Sequence, residues 1–295
     1  MQMNNRTQKA GIVCCSDGQK KEWAGKLRIL ETALSDMGIQ PVCSDFIFER
    51  ENVFSGTAKE RADALMGFYR DSEIAEIFDI SGGDAANGIL PYLDYECIKN
   101  SGKRFWGYSD LTTVINAIYA KTGRSGVLYQ IRNLIYDNKE QQIHDFKNTV
   151  VEQGRDLFLL NYRFIQQEQM QGIVVGGNIR CFLKLAGTEY MPDLEGKILL
   201  LESQSESVSR IESFLCQLQQ MGAFEKVAGV LLGTFTQLEQ ETGAQTAGRL
   251  VKKIAGKSLP VAVTADIGHG TDAKAVVIGE EMRFGSGQGA GCSVM

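Results

Sequence analysis

The feature that most constrains the fold of this chain is a regular alternation of short apolar runs with amphipathic segments over its first half. Each apolar run has the length of a strand, and each amphipathic segment has apolar residues at helical spacing. The predicted strands are Gly11–Ser16, Pro41–Phe48, Glu76–Ser81, a run ending near Tyr108, and Val127–Ile131. The predicted helices are Glu22–Met37, Thr57–Arg70, Asn87–Lys99 and a segment that begins at Ser109. This alternation predicts an α/β fold with a mostly parallel sheet and helices on both faces.

The pattern changes in the second half of the chain. We interpret the segment from Asp137 to about Gln169, which begins with polar and charged residues, as a connection between domains with a mobile surface. Further strands are predicted at Gly172–Val175, Lys197–Leu201, Val227–Leu232, Pro260–Thr264 and Ala275–Ile278, with a turn at Gly176–Asn178. Further helices are predicted at Ile179–Leu185, Ser207–Met221 and Thr246–Ala255. The second half is therefore a β-richer α/β unit, and we predict two domains, residues 1–145 and residues 146–295.

Composition excludes several classes of function. The net charge of −5, without a dense cluster of Lys or Arg, argues against a nucleic-acid partner. No run of about 18 apolar residues occurs, so we expect no membrane span, and the polar stretch Met1–Ala10 lacks a signal-peptide core, so we expect a cytoplasmic protein. The seven cysteines form no CxxC pair and there are two histidines, so we expect no metal and no cofactor. Cys292–Met295 matches a prenylation box, but no polybasic segment precedes it, and we expect no prenylation.

One corner of the chain has two interpretations. Phe105 to Tyr108 is apolar and aromatic, whereas Leu111 begins a helix whose apolar face continues to Ile118, so Ser109 stands where a strand turns into a helix. Serine is a preferred N-cap residue, which makes Ser109 a simple helix cap. Alternatively, Ser109 is a nucleophile on a strand-to-helix elbow, although the second glycine of G-x-S-x-G is replaced by Leu111. The local sequence leaves both interpretations open.

Two other strand ends carry residues that suit hydrolytic chemistry. Of the two histidines, His144 lies in a charged stretch, whereas His269 lies between Gly268 and Gly270 directly after a predicted strand. Such loops carry functional groups in open α/β sheets. Glu202 ends the apolar run that begins at Ile198, and a carboxylate there can orient an imidazole, although a solvated strand-end Glu is the simpler interpretation. The order serine, acid, histidine is one that catalytic triads take.

With these residues in this order, the chain resembles the serine LD-carboxypeptidase family, which includes the microcin-C self-immunity hydrolases. The resemblance runs from about Gly11 to Ile278 and rests on six segments in order: Ile80–Asp84, Leu90–Tyr95, Gly107–Thr112, Gly176–Asn178, Gly196–Glu202 and Gly268–Gly270. It implies that Ser109 is the nucleophile, His269 the general base and acid, and Glu202 the residue that orients His269. It also implies an N-terminal Rossmann-like domain with a parallel sheet, which carries the nucleophile, and a β-richer C-terminal domain, which carries the acid and the histidine. The active site is then expected between the two domains, and the protein is expected to be a homodimer.

A tetrahedral oxyanion needs hydrogen-bond donors that are already in place. The N–H of Asp110, at the helix start, is the expected first donor, and the resemblance favours the N–H of Gly83 as the second; the alternative is that Gly82–Gly83 is a plain turn. The chain departs from the peptidoglycan-recycling members, because Gly82–Asn87 replaces a Gly-Gly-Tyr-Gly type of loop and Leu128–Arg132 lacks the usual Gly-Pro. Both departures fall in loops expected to contact substrate.

The sequence therefore predicts a serine hydrolase that cleaves an amide bond through an acyl-enzyme, and it leaves the substrate open. By resemblance the substrate is a murein tetrapeptide that loses its terminal D-alanine, or a microcin-like peptidyl or aminoacyl nucleotide. The alternative from another class is a non-catalytic two-domain protein that binds a peptide or nucleotide. A dehydrogenase is disfavoured because no G-x-G-x-x-G follows the first strand.

Overall fold

The computed structural model describes residues 8–285, so the prenylation box and the Gly/Ser tail that follows Gly285 lie outside the described residues. Twelve strands form within this range: β1 Gln8–Val13, β2 Ile39–Cys43, β3 Ile74–Asp79, β4 Arg104–Gly107, β5 Gly126–Leu128, β6 Arg163–Gln166, β7 Gln169–Asn178, β8 Ile198–Ser203, β9 Gly229–Phe235, β10 Val261–Val263, β11 Val276–Ile278 and β12 Glu281–Gly285.

The same range contains ten α-helices: α1 Ala24–Asp36, α2 Ala58–Arg70, α3 Tyr95–Ser101, α4 Thr112–Thr122, α5 Lys139–Phe146, α6 Ile179–Leu183, α7 Val208–Gln220, α8 Ala223–Lys226, α9 Thr236–Thr242 and α10 Thr246–Ala255. Shorter 3-10 turns occur at Lys21–Trp23, Ala86–Tyr92, Ser109–Leu111, Ile131–Ile135 and Asp156–Phe158, and a π turn at Lys147–Val151. None of these helices has the length and hydropathy that a membrane crossing requires.

The strands form two six-stranded sheets. The first has the order β11-β5-β4-β3-β1-β2 and the second the order β12-β7-β8-β9-β10-β6. Neighbours are parallel except β11 on β5, β12 on β7 and β6 on β10. The predicted α/β class, with a mostly parallel first sheet and a second α/β unit, is confirmed.

Alternation along the strands divides the core of the first half. Ile12 of β1 packs in the cluster that contains Leu30 of α1, whereas the next residue, Val13, packs with Leu65 of α2. This follows from the two-residue period of a strand, and it places helices on both faces of the first sheet, as predicted. In the second sheet, Leu199 packs with the helices of the second half and Leu200 joins the cluster of the first half. One continuous apolar core therefore connects the two halves.

Helix α4, which follows Ser109, lies at this connection. Its Asn116 donates to the carbonyl of Gly176 and accepts from the N–H of the same residue, each at 2.9 Å. Thr112 accepts from the N–H of Asn178 at 3.1 Å. The serine helix is thus fixed directly against the end of β7.

Some local predictions are wrong. Residues 137–169 are not simply a connection, because they include α5, the π turn and β6, and because Phe146 packs against Trp106 at 6.1 Å. The predicted helix Asn87–Lys99 is broken, since the side chain of Asp94 accepts from the N–H of Cys97 and begins a new helix. The predicted turn Gly176–Asn178 is the end of β7.

Strand β11 belongs to the first sheet, although it lies in the second half of the chain. Ala275–Ile278 was predicted as a strand of the second half, and β11 pairs antiparallel with β5 at the edge of the first sheet. A segment that follows His269 in the chain therefore completes the sheet that carries Ser109. The domain limits 1–145 and 146–295 stay a prediction.

Candidate active site

Ser109 lies on a strained elbow between β4 and α4. Its backbone has φ +56°, a left-handed conformation that costs a non-glycine residue about 1–3 kcal/mol. A Cβ on Gly107 would lie 2.6 Å from Cβ of Leu111, so a glycine is needed where the chain folds back. The cap positions belong to Tyr108 and Leu111, neither of which makes a side-chain cap hydrogen bond. The structure thus favours the elbow interpretation over the helix cap.

Glu202 and His269 meet at the end of the second sheet. Oε2 of Glu202, a fully buried side chain on β8, lies 2.8 Å from Nδ1 of His269, whose side chain is 12% exposed. This distance is that of an ion pair, but the two side chains are not aligned as a hydrogen bond requires. Within residues 8–285, Nε2 of His269 is buried and has no hydrogen-bond partner, the Ser109 hydroxyl included. Catalytic hydrogen bonds are often loose in the free enzyme and tighten with substrate.

Tyr108 connects the elbow to this pair. Its ring packs edge-on against the imidazole of His269, with 5.0 Å between ring centroids. Burial, together with the neighbouring carboxylate of Glu202, raises the pKa of Tyr108 well above its ordinary value. The residue that precedes Ser109 therefore contacts both partners, and the structure brings all three predicted strand ends to one place.

Close backbone packing positions the histidine loop. The N–H of Thr234, on β9, donates to the carbonyl of Ile267 at 2.8 Å. A Cβ on Gly268 would overlap Oγ1 of Thr234, and a Cβ on Gly233 would lie 3.0 Å from Cβ of Glu202. Two glycines thus allow the loop, β9 and β8 to approach closely enough for the acid to reach the imidazole.

Helix α5 anchors the far end of the same loop. Gln142 donates to the carbonyl of Ala273 at 3.2 Å, and Lys274 forms a short ion pair with the buried carboxylate of Asp145. Burial raises the pKa of Asp145, but the hydrogen bonds from Lys274, His144 and Gln141 outweigh it and leave the pKa lowered. The segment predicted to be a connection therefore supports His269.

The side chain of His144, on α5, is 70% exposed and contacts Asp145 rather than Glu202. Its ring and the carboxylates of Asp145 and Asp156 are close enough to hold a metal ion, the one such cluster found in the described chain. Lys274 already pairs with Asp145, and this ion pair anchors the loop.

The two expected oxyanion donors belong to segments joined by the side chain of Asp110. This fully buried carboxylate accepts from the hydroxyl of Ser16 at 2.7 Å and from the N–H of Ala86 at 2.8 Å. Gly83 has φ +123°, and a Cβ there would overlap the carboxylate of Asp17, so this position requires glycine. The sequence analysis used only the N–H of Asp110 and missed its carboxylate. The available signal was an acidic residue directly after the candidate nucleophile.

A cavity of about 430 Å³ lies in the second half, near β9 and β10. Its lining includes Gly233, Thr234, Thr264 and Ala265, which border the histidine loop, and does not include Ser109, Glu202 or His269. The cavity therefore borders the histidine loop without being lined by any of the three candidate residues.

Comparison with known proteins assigns the family. Residues 10–130 match the LD-carboxypeptidase N-terminal domain, and residues 171–284 match the LD-carboxypeptidase C-terminal domain. Together the two matches cover most of the chain. The chain belongs to the LD-carboxypeptidase family. Membership makes it a hydrolase of the carboxypeptidase type, as the sequence predicted.

Relatives come from both branches of this family. The chain is 28% identical over 250 residues to the microcin C7 self-immunity protein MccF of Escherichia coli, covering 73% of this chain and 72% of the relative. It is 26% identical over 267 residues to the probable murein peptide carboxypeptidase of Bacillus subtilis, covering 85% and 82%. The structure of MccF in complex with glutamyl sulfamoyl guanosine matches with a TM-score of 0.84 at 21% identity, covering 94% of this chain and 92% of that one. The structural likeness supports the two-sheet fold.

Proposed function

We propose that this LD-carboxypeptidase family member hydrolyses an amide bond through an acyl-enzyme on Ser109. The observation that carries the proposal is the buried Glu202–His269 contact beside a strained serine elbow. A serine hydroxyl is a weak nucleophile until a neighbouring base takes its proton, and Nε2 of His269 is the nitrogen left for this task. Glu202 holds the other ring nitrogen and stabilises the imidazolium that forms.

The proposed reaction has two halves. Oγ of Ser109 attacks the carbonyl carbon while its proton passes to Nε2, and the N–H groups of Gly83 and Asp110 stabilise the oxyanion. The imidazolium then protonates the leaving amine, and the C–N bond breaks. A water molecule, deprotonated by the same nitrogen, attacks the acyl-enzyme and releases Ser109.

For the substrate we propose a murein tetrapeptide that loses its terminal D-alanine. The Bacillus subtilis relative named for murein peptides supports this choice. A second candidate is a peptidyl or aminoacyl nucleotide, favoured by the Gly82–Asn87 loop, which differs from the peptidoglycan-recycling members, and by the likeness to MccF. The homodimer, the cytoplasmic location and the division into a nucleophile domain and an acid–histidine domain stay predictions.

The test incubates the protein with murein tetrapeptide and, separately, with aspartyl sulfamoyl adenosine, and follows both compounds by mass spectrometry. Release of D-alanine by the wild type but not by Ser109→Ala supports the carboxypeptidase. Cleavage of the nucleotide conjugate alone supports the second candidate, a peptidyl or aminoacyl nucleotide substrate. Binding of either compound without turnover overturns the hydrolase in favour of a binding protein.

A further inference from the structure

The side chain of Lys184, directly after α6, reaches from the second half of the chain into the proposed oxyanion region. Its Nζ lies 2.5 Å from Oδ1 of Asp110, 2.8 Å from the carbonyl oxygen of Asp84 and 3.1 Å from Oδ1 of Asp84. An ammonium group has three N–H donors, and these three oxygens account for all of them.

These oxygens belong to the two segments that supply the proposed oxyanion donors. Asp84 directly follows Gly83, and Asp110 directly follows Ser109. Lys184 therefore connects the Gly83 loop to the nucleophile elbow through one group. Asp110 makes a second connection between the same segments, because its other oxygen accepts from the N–H of Ala86.

Electrostatics favours this arrangement. The Asp110 side chain is fully buried and a buried carboxylate needs a partner charge, whereas the Lys184 side chain is only 18% exposed. On the solvent side, Arg180 pairs with Asp84 and also lies 3.1 Å from the buried carboxylate of Glu206. Lys184 thus forms the inner part of an ion-pair network that ties the Gly83 loop to the second half.

We infer that Lys184 is a positioning residue that fixes the distance between the two proposed oxyanion donors. This inference rests on the proposed function. Oxyanion stabilisation depends strongly on geometry, and a displacement of about 1 Å or the loss of one donor lowers the rate about 100-fold. Loss of the ammonium group therefore lowers kcat while the affinity for intact substrate is kept.

The test compares Lys184→Met with Lys121→Met. Lys121 also pairs across the two halves, at 2.7 Å from Glu189, but it touches neither oxyanion segment. We expect Lys184→Met to lower kcat about 100-fold on whichever of the two probes the wild type cleaves, with KM changed less than about threefold. We expect wild-type kcat for Lys121→Met. The rate at which a fluorophosphonate labels Ser109 should fall in parallel with kcat, since that reaction also builds negative charge on an oxygen.

A binding measurement separates positioning from direct substrate recognition. Calorimetry on Ser109→Ala, with and without Lys184→Met, should give the same affinity for the probe. A large loss of affinity shows that the ammonium group binds substrate and overturns the inference. Wild-type kcat in a folded Lys184→Met variant also overturns it, and leaves the proposed function intact. A wild type that neither cleaves a probe nor is labelled overturns both.

Lys184→Met leaves Asp110 buried without its counter-charge and can fail to fold. In that case Lys184→Arg replaces it, because a guanidinium keeps the charge but directs its planar donors differently from an ammonium. We expect at least a 10-fold loss of kcat for Lys184→Arg with little change in melting temperature. Wild-type kcat for this folded variant contradicts the inference.

Discussion

The two sides of the candidate site are held in different ways. On the elbow side, the carboxylate of Asp110 has three polar partners, and the buried guanidinium of Arg61 bonds to several backbone carbonyls of the same region. On the other side, the described residues give Glu202 and His269 few polar partners, namely their mutual contact and the Tyr108 hydroxyl beside the Glu202 carboxylate. Close backbone packing and anchors further along the loop hold this second pair instead.

This difference matches the proposed chemistry of each side. Oxyanion donors act by staying fixed while charge develops, so a dense polar network suits them. A general base must accept and release a proton, and a second strong partner on Nε2 would compete with the serine hydroxyl. The comparison therefore makes distinct predictions for substitutions on the two sides.

The largest effect is expected at the base. His269→Ala should lower kcat about a millionfold, since loss of a triad histidine removes proton transfer altogether. The chain has two histidines, so His144→Ala is the matched control. The exposed His144 adds only one contact to Asp145 of the loop anchor, so this variant should lose less than about threefold in kcat. Steady-state kinetics of the two variants, with whichever of the two test compounds the wild type cleaves, measures both values of kcat. Equal losses in the two variants would contradict the assignment of His269.

The next effect is expected at the acid. Glu202→Gln should lower kcat about 10,000-fold, because the amide no longer stabilises the imidazolium or selects its tautomer. The melting temperature should stay the same or rise, because the variant removes a buried carboxylate. Glu189→Gln, at an exposed ion pair, is the control for both measurements. If Glu202→Gln lowers kcat by less than about 10-fold, Glu202 does not orient His269 in a triad.

On the elbow side, Gly83→Ala should lower kcat about 100- to 1,000-fold by displacing an oxyanion donor. The added carbon overlaps Asp17 in a left-handed conformation, so we also expect about 1–3 kcal/mol of destabilisation in denaturant unfolding. Gly82→Ala is the control for stability, because no heavy atom lies within 4 Å of the carbon it adds. Unchanged turnover by Gly83→Ala would exclude this N–H as a donor.

The smallest effect is expected at the loop anchor. Asp145→Asn should lower kcat only about 3- to 10-fold, since it loosens the histidine loop at a distance from the ring. The pKa of Asp145 is lowered in the folded protein, so its contribution to stability is present above the ordinary carboxyl pKa of about 3.9 and is lost as the pH falls through the folded value.

The difference in melting temperature between wild type and Asp145→Asn should therefore be largest near neutral pH and shrink below about pH 4. Asp63→Asn, at an exposed ion pair within one helix, should show little difference at any pH. A difference for Asp145→Asn that grows on acidification would contradict the role of the Lys274 pair.

Local pattern was sufficient to predict the fold class and to single out the candidate residues, whereas their roles came from the family resemblance and stay predictions. Strand and helix periods are properties of short segments, so the alternation around β1 to β5 was readable without tertiary contacts. The same holds for Ser109, Glu202 and His269, each of which stands at the end of an apolar run. Glu202 and His269 stand at the ends of parallel strands that share one edge of the second sheet. Ser109 follows β4 of the first sheet, so only tertiary packing places its elbow next to that pair.

What the sequence could not determine depends on partners that are distant in the chain. Helix α5 looked like a polar connection because its buried Gln142 and Asp145 are polar, and each has a hydrogen-bond partner about 130 positions away. The sequence could not assign β11 to either sheet, because a three-residue apolar run does not indicate which strand it pairs with.

Lys184 shows the same limit at the site itself. It lies 74 residues from Asp110 in sequence, and an isolated lysine after a short helix gives no signal of a buried partner. The sequence by itself determined the strand ends that carry the candidate residues, because strands and their polar ends are local. Only the tertiary structure decided which distant charges hold those ends in place, because ion pairs form between whatever side chains the packed core brings together.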